Sequence, residues 1–232
     1  MLEKLEQSEA LPVLEVLAQA GAQPHVCAGA VRDVFFCLER GIESEPRDID
    51  IVTFGIGREP LNDLAVSLGA SPNRYGGYSF RKANHSSVDV WAADVTCGVV
   101  ACRAAPTLRN VLRSFVLNLN AIAFEFGTTK FFDMGCISGF RQNQLGLVDD
   151  ALMHDEDIFA AKALISATRF GLGPSSAVTS LFALNADNYT IRREFGKTET
   201  LLGPATNIES LGENFFSNSR HHTEAWVLKK LT

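Results

Sequence analysis

The sequence predicts an α/β fold, in which a mixed sheet with flanking helices occupies about residues 20–150 and a small helical region follows. The first observation is the order of segments: a helix, a strand, a glycine turn, a helix, a strand, a helix and a hairpin. The second is DIDIVTF at 48–54, whose β-branched residues favour a strand. The third is the segment 154–173, which has acids in its first turn, Arg near its end and Gly after it, as helices do. We therefore expect a head domain at 1–150 and a helical appendage at 151–232.

The first part of the chain alternates helical and extended patterns, with glycine at the boundaries. Gly21, Gly41 and Gly69 each follow a helical pattern, and glycine is common just past a helix C-terminus. Gly29 lies at the turn between the first strand and the second helix. The elements predicted here are a helix at 2–20, a strand at His25–Ala28, a helix at 30–40, the strand at 48–54 and a helix at 59–68.

The rest of the chain is expected to complete the sheet and then to become helical. SPNRYGG has the composition of a loop, and YSFRKA and SVDVWAA are two strand candidates joined by a polar link, which favours a hairpin. Two further apolar segments, LNAIAFEFG and KFFDMG, follow. Beyond the helix at 154–173, residues 174–232 have a weak helical pattern.

Composition and charge limit the class of protein. The net charge of -6 and the sequence pI near 5.4 argue against a broad basic surface that grips long nucleic acid through its phosphates. The five cysteines have no zinc spacing, and we expect free, mostly buried thiols in a reducing compartment. The N-terminus does not read as a signal peptide, and no apolar run has the length of a membrane span. A cytoplasmic location without membrane association is the expectation.

The DIDIVTF strand carries two carboxylates. Side chains two positions apart on a strand share one face, so Asp48 and Asp50 point together while Ile49 and Ile51 point to the apolar face. Neighbouring carboxylates repel each other, and a cation between them relieves the repulsion. Oxygen ligands of this kind suit Mg²⁺. Asp48 and Asp50 are therefore predicted metal ligands; the alternative is a strand end where one Asp caps a turn and the other pairs with Arg47.

A third carboxylate lies on another strand candidate. Asp89 is placed between Val88 and Val90 in SVDVW. On the same sheet face as the aspartate pair it would join the catalytic group. The alternative is a solvated Asp on an edge strand.

The glycine turn has features of a phosphate site. The segment A28-G29-A30-V31-R32-D33 lies between a strand and a helix. Glycine lets backbone N–H groups approach a phosphate, and the helix N-terminus adds partial positive charge. Arg32, in the first helical turn, could reach the same anion.

Together with the next strand, this turn resembles a family signature. CAGAVRDVFFCLERGIESEPRDIDIVTF is similar to the head-domain motif of the CCA-adding enzyme and poly(A) polymerase family, within the DNA polymerase β superfamily of nucleotidyltransferases. That motif has a Gly-Gly turn, V-R-D on a helix and D-x-D on a strand. LRSFVLNLNAIAF resembles the family's R-D-F-T-I-N-A segment, and FFDMGCISGFRQNQLGLV its D-P-x-G-G turn and helix. The resemblance covers about residues 22–172.

The resemblance implies a nucleotidyltransferase-like fold and a set of site residues. Asp48 and Asp50 match magnesium ligands, and two Mg²⁺ ions would bridge them to the phosphates. Gly29 and Arg32 match positions that hold the triphosphate, and Arg113 matches an arginine that contacts the nucleotide. Mg²⁺ is the implied cofactor and an NTP the implied substrate.

Several positions depart from the family pattern. Ala28 replaces the first Gly of the turn, and Ser114 replaces the Asp after the motif Arg. The family reads the incoming base with Arg residues on its last head-domain helix, and aligned backward from Arg169 these positions are Ala163 and Ser166. We therefore expect that the chain does not build a full CCA end on tRNA. The short length beyond the motifs and the acidic charge favour the same expectation.

The sequence favours an Mg²⁺-dependent enzyme that moves an NMP from an NTP to a hydroxyl, and it leaves the acceptor open. An RNA 3′ end or tRNA, a protein side chain and a small molecule all fit. One alternative is a catalytically degenerate member of the same fold that binds nucleotide or RNA. Another is a compact, toxin-like transferase that modifies tRNA.

Three other polar segments are interpreted as structural or solvated. Ser175-Ser176 is predicted to cap a helix. His221-His222 with Glu224 lacks a spaced metal partner, and Cys97 and Cys102 lack a neighbouring catalytic His in sequence.

Overall fold

The computed structural model describes residues 10–41, 48–81, 87–128, 130–185 and 188–196. Predictions that concern Arg47, His221, His222 and Glu224 lie outside these ranges. No helix in the described ranges combines the length and the apolar character that crossing a bilayer requires.

Helices and strands alternate through most of the described chain. The helices are α1 (Ala10–Gln19), α2 (Gly29–Arg40), α3 (Arg58–Ser67), α4 (Cys97–Ala101), α5 (Leu108–Arg113), α6 (Cys136–Gln142), α7 (Glu156–Phe170), α8 (Ser176–Asn185) and α9 (Asn188–Gly196). The strands are β1 (Gln23–Cys27), β2 (Asp48–Phe54), β3 (Ser71–Pro72), β4 (Tyr78–Arg81), β5 (Ser87–Ala92), β6 (Ile122–Glu125), β7 (Phe131–Asp133), β8 (Gln144–Leu145) and β9 (Gly173–Pro174).

A mixed seven-stranded sheet forms the centre of the fold, in the order β3-β4-β5-β2-β1-β6-β7. The pairing of β2 with β5 is parallel, and the other neighbours in this sheet pair antiparallel. The predicted hairpin is confirmed as β4 and β5. The predicted loop SPNRYGG differs in one respect, because Ser71–Pro72 pairs with β4 as a short edge strand.

The helix ends follow the predicted glycine signals. Gly41 takes a left-handed φ of 64° and donates its N–H to the Cys37 carbonyl, which ends α2. Gly171 ends α7 in the same conformation, with a φ of 63°. The Ser175 hydroxyl accepts a hydrogen bond of 3.3 Å from the Val178 N–H, so the predicted cap of α8 is confirmed.

The two faces of the sheet are buried differently. Ile49 and Ile51 of β2, with Val88 and Val90 of β5, pack into a large apolar core that extends from α1 to α9. This core unites residues on both sides of position 150, and the domain boundary expected there stays a prediction. On the opposite face, Val52 belongs to a smaller core that includes residues of α4 and α5. The aspartates of β2 share that second face, so the site lies beside the smaller core.

Candidate active site

The three predicted carboxylates lie side by side on one sheet face. In β2 the burial alternates as predicted: Asp48 and Asp50 are half-buried, while Ile49 and Ile51 are buried. The parallel register of β2 and β5 pairs Asp50 with Asp89 and Asp48 with Ser87. Paired residues on adjacent strands lie about 5 Å apart and point to the same face. Asp89 is thus the neighbour of Asp50, and the edge-strand alternative is wrong because β5 lies between β4 and β2.

Two serine hydroxyls hold these carboxylates. Ser87 Oγ donates to Oδ1 of Asp48 at 3.1 Å and lies 3.4 Å from Oδ2 of Asp89. Ser79, opposite Asp89 on β4, donates to Oδ1 of Asp89. Neither serine was among the predicted site residues. Their alternation with the buried residues of β4 and β5 was the available signal.

A cavity of about 270 Å³ opens beside Asp50 and Asp89. This is close to the lower end of small-molecule pockets, at about 300 Å³. Its walls combine aromatic side chains with a few polar groups, the usual composition of such a pocket. Besides the two aspartates, the lining residues include Tyr75, Trp91, Cys97, Gly98, Ser114, Phe115, Asn120, His154, Asp155, Ile158, Phe159 and Lys162.

One face of α7 and its preceding residue forms a wall of the cavity. Asp155, Ile158, Phe159 and Lys162 follow the spacing of a single helix face. The Lys162 ammonium lies 5.3 Å from the centre of the Phe159 ring. Among the described lining residues, Lys162 is the only Lys or Arg.

Ala163 and Ser166, at the positions where the family pattern has base-reading arginines, do not line the described cavity. Ala163 is fully buried in the apolar core, and Ser166 is half-buried and is not among the described lining residues. One residue along a helix turns a side chain by about 100°, since 3.6 residues make a turn. Lys162 therefore faces the cavity where Ala163 faces the core.

His154 is fixed at the cavity wall by close packing. Its Nδ1 lies 2.8 Å from the Leu152 carbonyl, and its ring meets Phe159 edge-on. A Cβ on Gly98 would lie 2.8 Å from His154 Cε1 and 2.5 Å from Ser114 Cβ, so a residue without a side chain is needed there. Because the carbonyl can only accept, Nδ1 carries the ring proton in the neutral form.

The glycine turn holds an unusual backbone. Ala28, just before α2, has φ 51° and ψ -119°, a region that favours glycine. Gly29 has no positive φ, and a Cβ there would meet only the Arg32 side chain, at 3.5 Å. The strained position of the turn is thus Ala28. The predicted phosphate contact of Gly29 stays a prediction.

Arg32 is buried behind the cavity wall, with 8% of its surface exposed. Its Nε donates to Oδ1 of Asp33 at 2.7 Å, and its Nη1 donates to Oδ1 of Asn120 at 2.6 Å. Asp33 also accepts a hydrogen bond of 3.1 Å from Arg169, and the Arg32 guanidinium lies 4.8 Å from the Phe170 ring centre. The structure therefore connects Arg32 to the cavity through Asn120, which lines it. Direct contact of Arg32 with a triphosphate stays a prediction.

Arg113 is not among the described residues that line the cavity. Its Nε donates to the Asp150 carbonyl at 2.6 Å, and its Nη1 donates to Asn110 Oδ1 at 2.9 Å. The described residues that line the cavity at this point are Ser114 and Phe115 instead. The structure does not bring Arg113 together with the aspartates, because the turn at Asp150 anchors its guanidinium. Its predicted nucleotide contact stays a prediction.

The oxygen donors on this face of the sheet fit Mg²⁺ better than a soft metal. Within the described ranges, no group of three or more His, Cys, Asp or Glu side chains is arranged as a metal cage. Mg²⁺ needs no such cage, because it is usually bound by one or two carboxylates together with phosphate oxygens and water. Asp48, Asp50 and Asp89 supply hard oxygens on one face, and the two serine contacts orient them.

The cysteines differ in part from the expectation of mostly buried thiols. Cys27 and Cys136 are buried, but Cys97 and Cys102 are exposed, and Cys97 lines the cavity. Burial raises the pKa of the Cys27 thiol, and the charge of the neighbouring Asp50 raises this pKa further. The Cys27 thiol, which lies beside Asp50 in the register of β1 and β2, therefore stays protonated and does not act as a nucleophile.

Comparison with solved structures confirms the nucleotidyltransferase-like fold. A structure of a tRNA-processing enzyme superposes with a TM-score of 0.64 at 16% identity and covers 94% of this chain. The Thermotoga maritima CCA-adding enzyme complexed with tRNA has a TM-score of 0.62 at 16% identity over 88% of this chain. A tRNA nucleotidyltransferase complexed with a primer tRNA and an incoming ATP analogue has a TM-score of 0.64 at 17% identity over 94%.

The likeness concerns part of each larger protein. This chain covers 59% of the tRNA-processing enzyme, 48% of the Thermotoga maritima enzyme and 61% of the tRNA nucleotidyltransferase. In sequence, no family model and no curated protein matches.

Proposed function

We propose that this chain binds a nucleoside triphosphate in the cavity beside Asp50 and Asp89 and, with Mg²⁺, transfers the nucleoside monophosphate to a hydroxyl at an RNA 3′ end. The observation that carries the proposal is the parallel register that sets Asp89 beside Asp50 at the cavity. The fold supports it, because solved structures that share this fold are named CCA-adding and tRNA-processing enzymes.

The residues of the site would divide the work of the transfer. Asp48, Asp50 and Asp89 would hold the cation, which activates the attacking hydroxyl and offsets charge on the pyrophosphate leaving group. Asp89 would also lie within reach of the acceptor hydroxyl and could accept its proton. Asn120 would donate to a phosphate oxygen, and Lys162 would offset the charge of the nucleotide.

The aromatic walls suit the base of the nucleotide. Tyr75, Phe115 and Phe159 line the cavity and offer flat apolar surfaces. Stacking on such surfaces tolerates any base, because every base has a π-face. Lys162 is the only Lys or Arg among the described lining residues, where the family pattern has several base-reading arginines. The site would therefore discriminate weakly between bases.

One observation favours a second candidate, a protein that binds nucleotide without transferring it. Ser114 and Phe115 occupy the cavity where the family motif predicts an Arg–Asp pair, and Arg113 is held elsewhere. The side-by-side carboxylates of β2 and β5 oppose this candidate, because binding alone does not require them.

Calorimetric titration with ATP and with CTP tests the binding step. We expect binding that strengthens with Mg²⁺ or Mn²⁺ and collapses in Asp50→Asn. Asp63→Asn, which makes the same change at an exposed position of α3, is the matched control and should bind as the wild type does. Equal affinity with metal and with a chelator would sink the proposal. Transfer of a labelled nucleotide to an RNA 3′ end, lost in Asp50→Asn, separates the enzyme from the second candidate.

A further inference from the structure

The carboxylates of the site are not held by the strands alone. Ser79 and Ser87 are half-buried on the same sheet face as Asp48 and Asp89. Between them they contact both oxygens of Asp89 and one oxygen of Asp48. Each of these bonds links neighbouring strands, β4 to β5 or β5 to β2, except for the short-range contact of Ser87 with Asp89.

The proton count defines what each serine can do. A hydroxyl has one proton to donate, so Ser87 donates to Asp48, at 3.1 Å, in preference to Asp89, at 3.4 Å. Ser79 donates to Oδ1 of Asp89, which restrains that carboxylate. The remaining oxygen of Asp89 lies on the side of Ser87 and β2. Each hydroxyl thus restrains the orientation of one aspartate, Ser79 that of Asp89 and Ser87 that of Asp48.

We propose that Ser79 and Ser87 are positioning residues that hold Asp89 and Asp48 in the orientation that binds the divalent cation. The inference rests on the proposed function, because it assumes that the aspartates bind a cation. Before the cation arrives, the two donors also offset the repulsion between carboxylates that lie side by side. Partners that orient metal ligands typically contribute about 10- to 100-fold to metal affinity.

The substitutions can isolate the hydroxyl from the shape of the side chain. Threonine and valine have nearly the same shape, and both are favoured in strands, but valine lacks the hydroxyl. Ser79→Val and Ser79→Thr form one matched pair, and Ser87→Val and Ser87→Thr form the other. Ser67→Ala on α3 is the control, because its hydroxyl bonds the Leu64 carbonyl at an exposed position.

Mn²⁺ binding to the full chain is measured by electron paramagnetic resonance, in the presence of a non-hydrolysable nucleoside triphosphate. We expect the valine variants, and the corresponding alanine variants, to bind Mn²⁺ about 10-fold or more weakly. The threonine variants and Ser67→Ala should match the wild type. In the presence of a chelator, all serine variants should bind the nucleotide with the same affinity. A general loss of structure would lower this affinity, so the measurement controls for misfolding.

Two results would overturn the inference while the proposed function stands. One is wild-type Mn²⁺ affinity in the valine and alanine variants when Asp50→Asn has lost binding. The other is a loss that threonine does not restore, since the hydroxyl would then not be its cause. If the wild type and Asp50→Asn bind Mn²⁺ equally, the proposed function fails and the inference fails with it.

Discussion

Nη1 of Arg32 donates a hydrogen bond of 2.6 Å to Oδ1 of Asn120. A guanidinium has only donors, so the atom of Asn120 that faces it must be the oxygen. The amide orientation is therefore settled by chemistry, and the NH₂ group of Asn120 is left for the cavity that this residue lines.

We expect Asn120→Asp to weaken NTP binding by about tenfold or more, because a hydrogen bond to a charged group contributes about 1.5 kcal/mol or more. Aspartate keeps the acceptor for Arg32 but replaces the NH₂ donor with an oxygen that repels phosphate. Calorimetric titration of NTP and of the corresponding nucleoside checks this, and the nucleoside should bind nearly unchanged. An equal loss for both ligands would place Asn120 at the base or ribose instead.

Arg32→Ala should also weaken the binding of the NTP far more than the binding of the nucleoside. We expect this effect because Arg32 orients the Asn120 amide. Without Arg32 the Asn120 amide is free to turn, so the two substitutions remove the same donor. The double variant Arg32→Ala/Asn120→Asp should then bind the NTP as well as the single variant of lower affinity does. If the two contacts were independent, the losses of binding free energy would add. Additive losses would mean that Arg32 contacts the ligand directly.

Lys162→Met should reduce NTP affinity by about tenfold, because it removes a charge from the cavity wall and keeps the length of the side chain. Lys130→Met makes the same change at an exposed residue between β6 and β7 and is the control. The measurement is again titration in the presence of Mg²⁺. Unchanged affinity would show that the Lys162 ammonium does not interact with the nucleotide.

The protein is not expected to build a full CCA end. Ala163 is buried in the core and Ser166 is not among the described lining residues, so neither provides the hydrogen bonds that distinguish C from A. Incubation with tRNA that lacks its 3′ end, labelled CTP and ATP, and Mg²⁺ should give at most a single, loosely selective addition. Ordered addition of C, C and A would contradict this and would point to Asp155, His154 or Lys162 as readers of the base.

Ala28→Gly should raise the free energy of unfolding by about 1 kcal/mol. Ala28 has φ 51° and ψ -119°, and such sparsely populated backbone regions cost a residue with a Cβ on the order of 1–3 kcal/mol. The greater freedom of glycine in the unfolded chain and the loss of a buried methyl group offset part of this gain. Chemical denaturation measures the change, with Ala30→Gly inside α2 as a control that should lower stability. Lower stability of Ala28→Gly would mean that the packing of its Cβ outweighs the strain.

The fold could largely be predicted because its signals are local. Alternation in β2 fixes which side chains face the core, and the glycines after α2 and α7 fix where those helices end. The same alternation placed Asp48 and Asp50 on one face. That Asp89 lies beside Asp50 could be predicted only as one of two alternatives. The register between β2 and β5 depends on contacts between residues that are far apart in sequence.

The cavity-lining residues were less predictable, for a geometric reason. Whether position 162 or position 163 faces the site depends on the rotation of α7 about its axis, and packing of Ala163 into the core determines that rotation. Arg113 matches the position of a nucleotide-contacting arginine in the family motif, yet its guanidinium donates to the Asp150 carbonyl. Asn120 lay within a recognised segment, but its contact with Arg32 and its place at the cavity, which distinguish it from Asn118, depend on residues far away in sequence. Asn118 instead donates to the Gly135 carbonyl and accepts from the Gly146 N–H.

The parallel pairing of β2 with β5 has a consequence for how the chain acquires its chemistry. A parallel pair cannot be closed by a tight turn, so β5 reaches β2 only after the chain has passed through α3 and the β4–β5 hairpin. Non-local pairings of this kind form slowly, because the chain loses entropy before the contacts compensate for it. During refolding, helices and the hairpin can therefore exist while Asp50 and Asp89 are still apart. Cation-dependent nucleotide binding would thus require that β2 and β5 have paired, and a chain in which they are still apart would lack the proposed cation site.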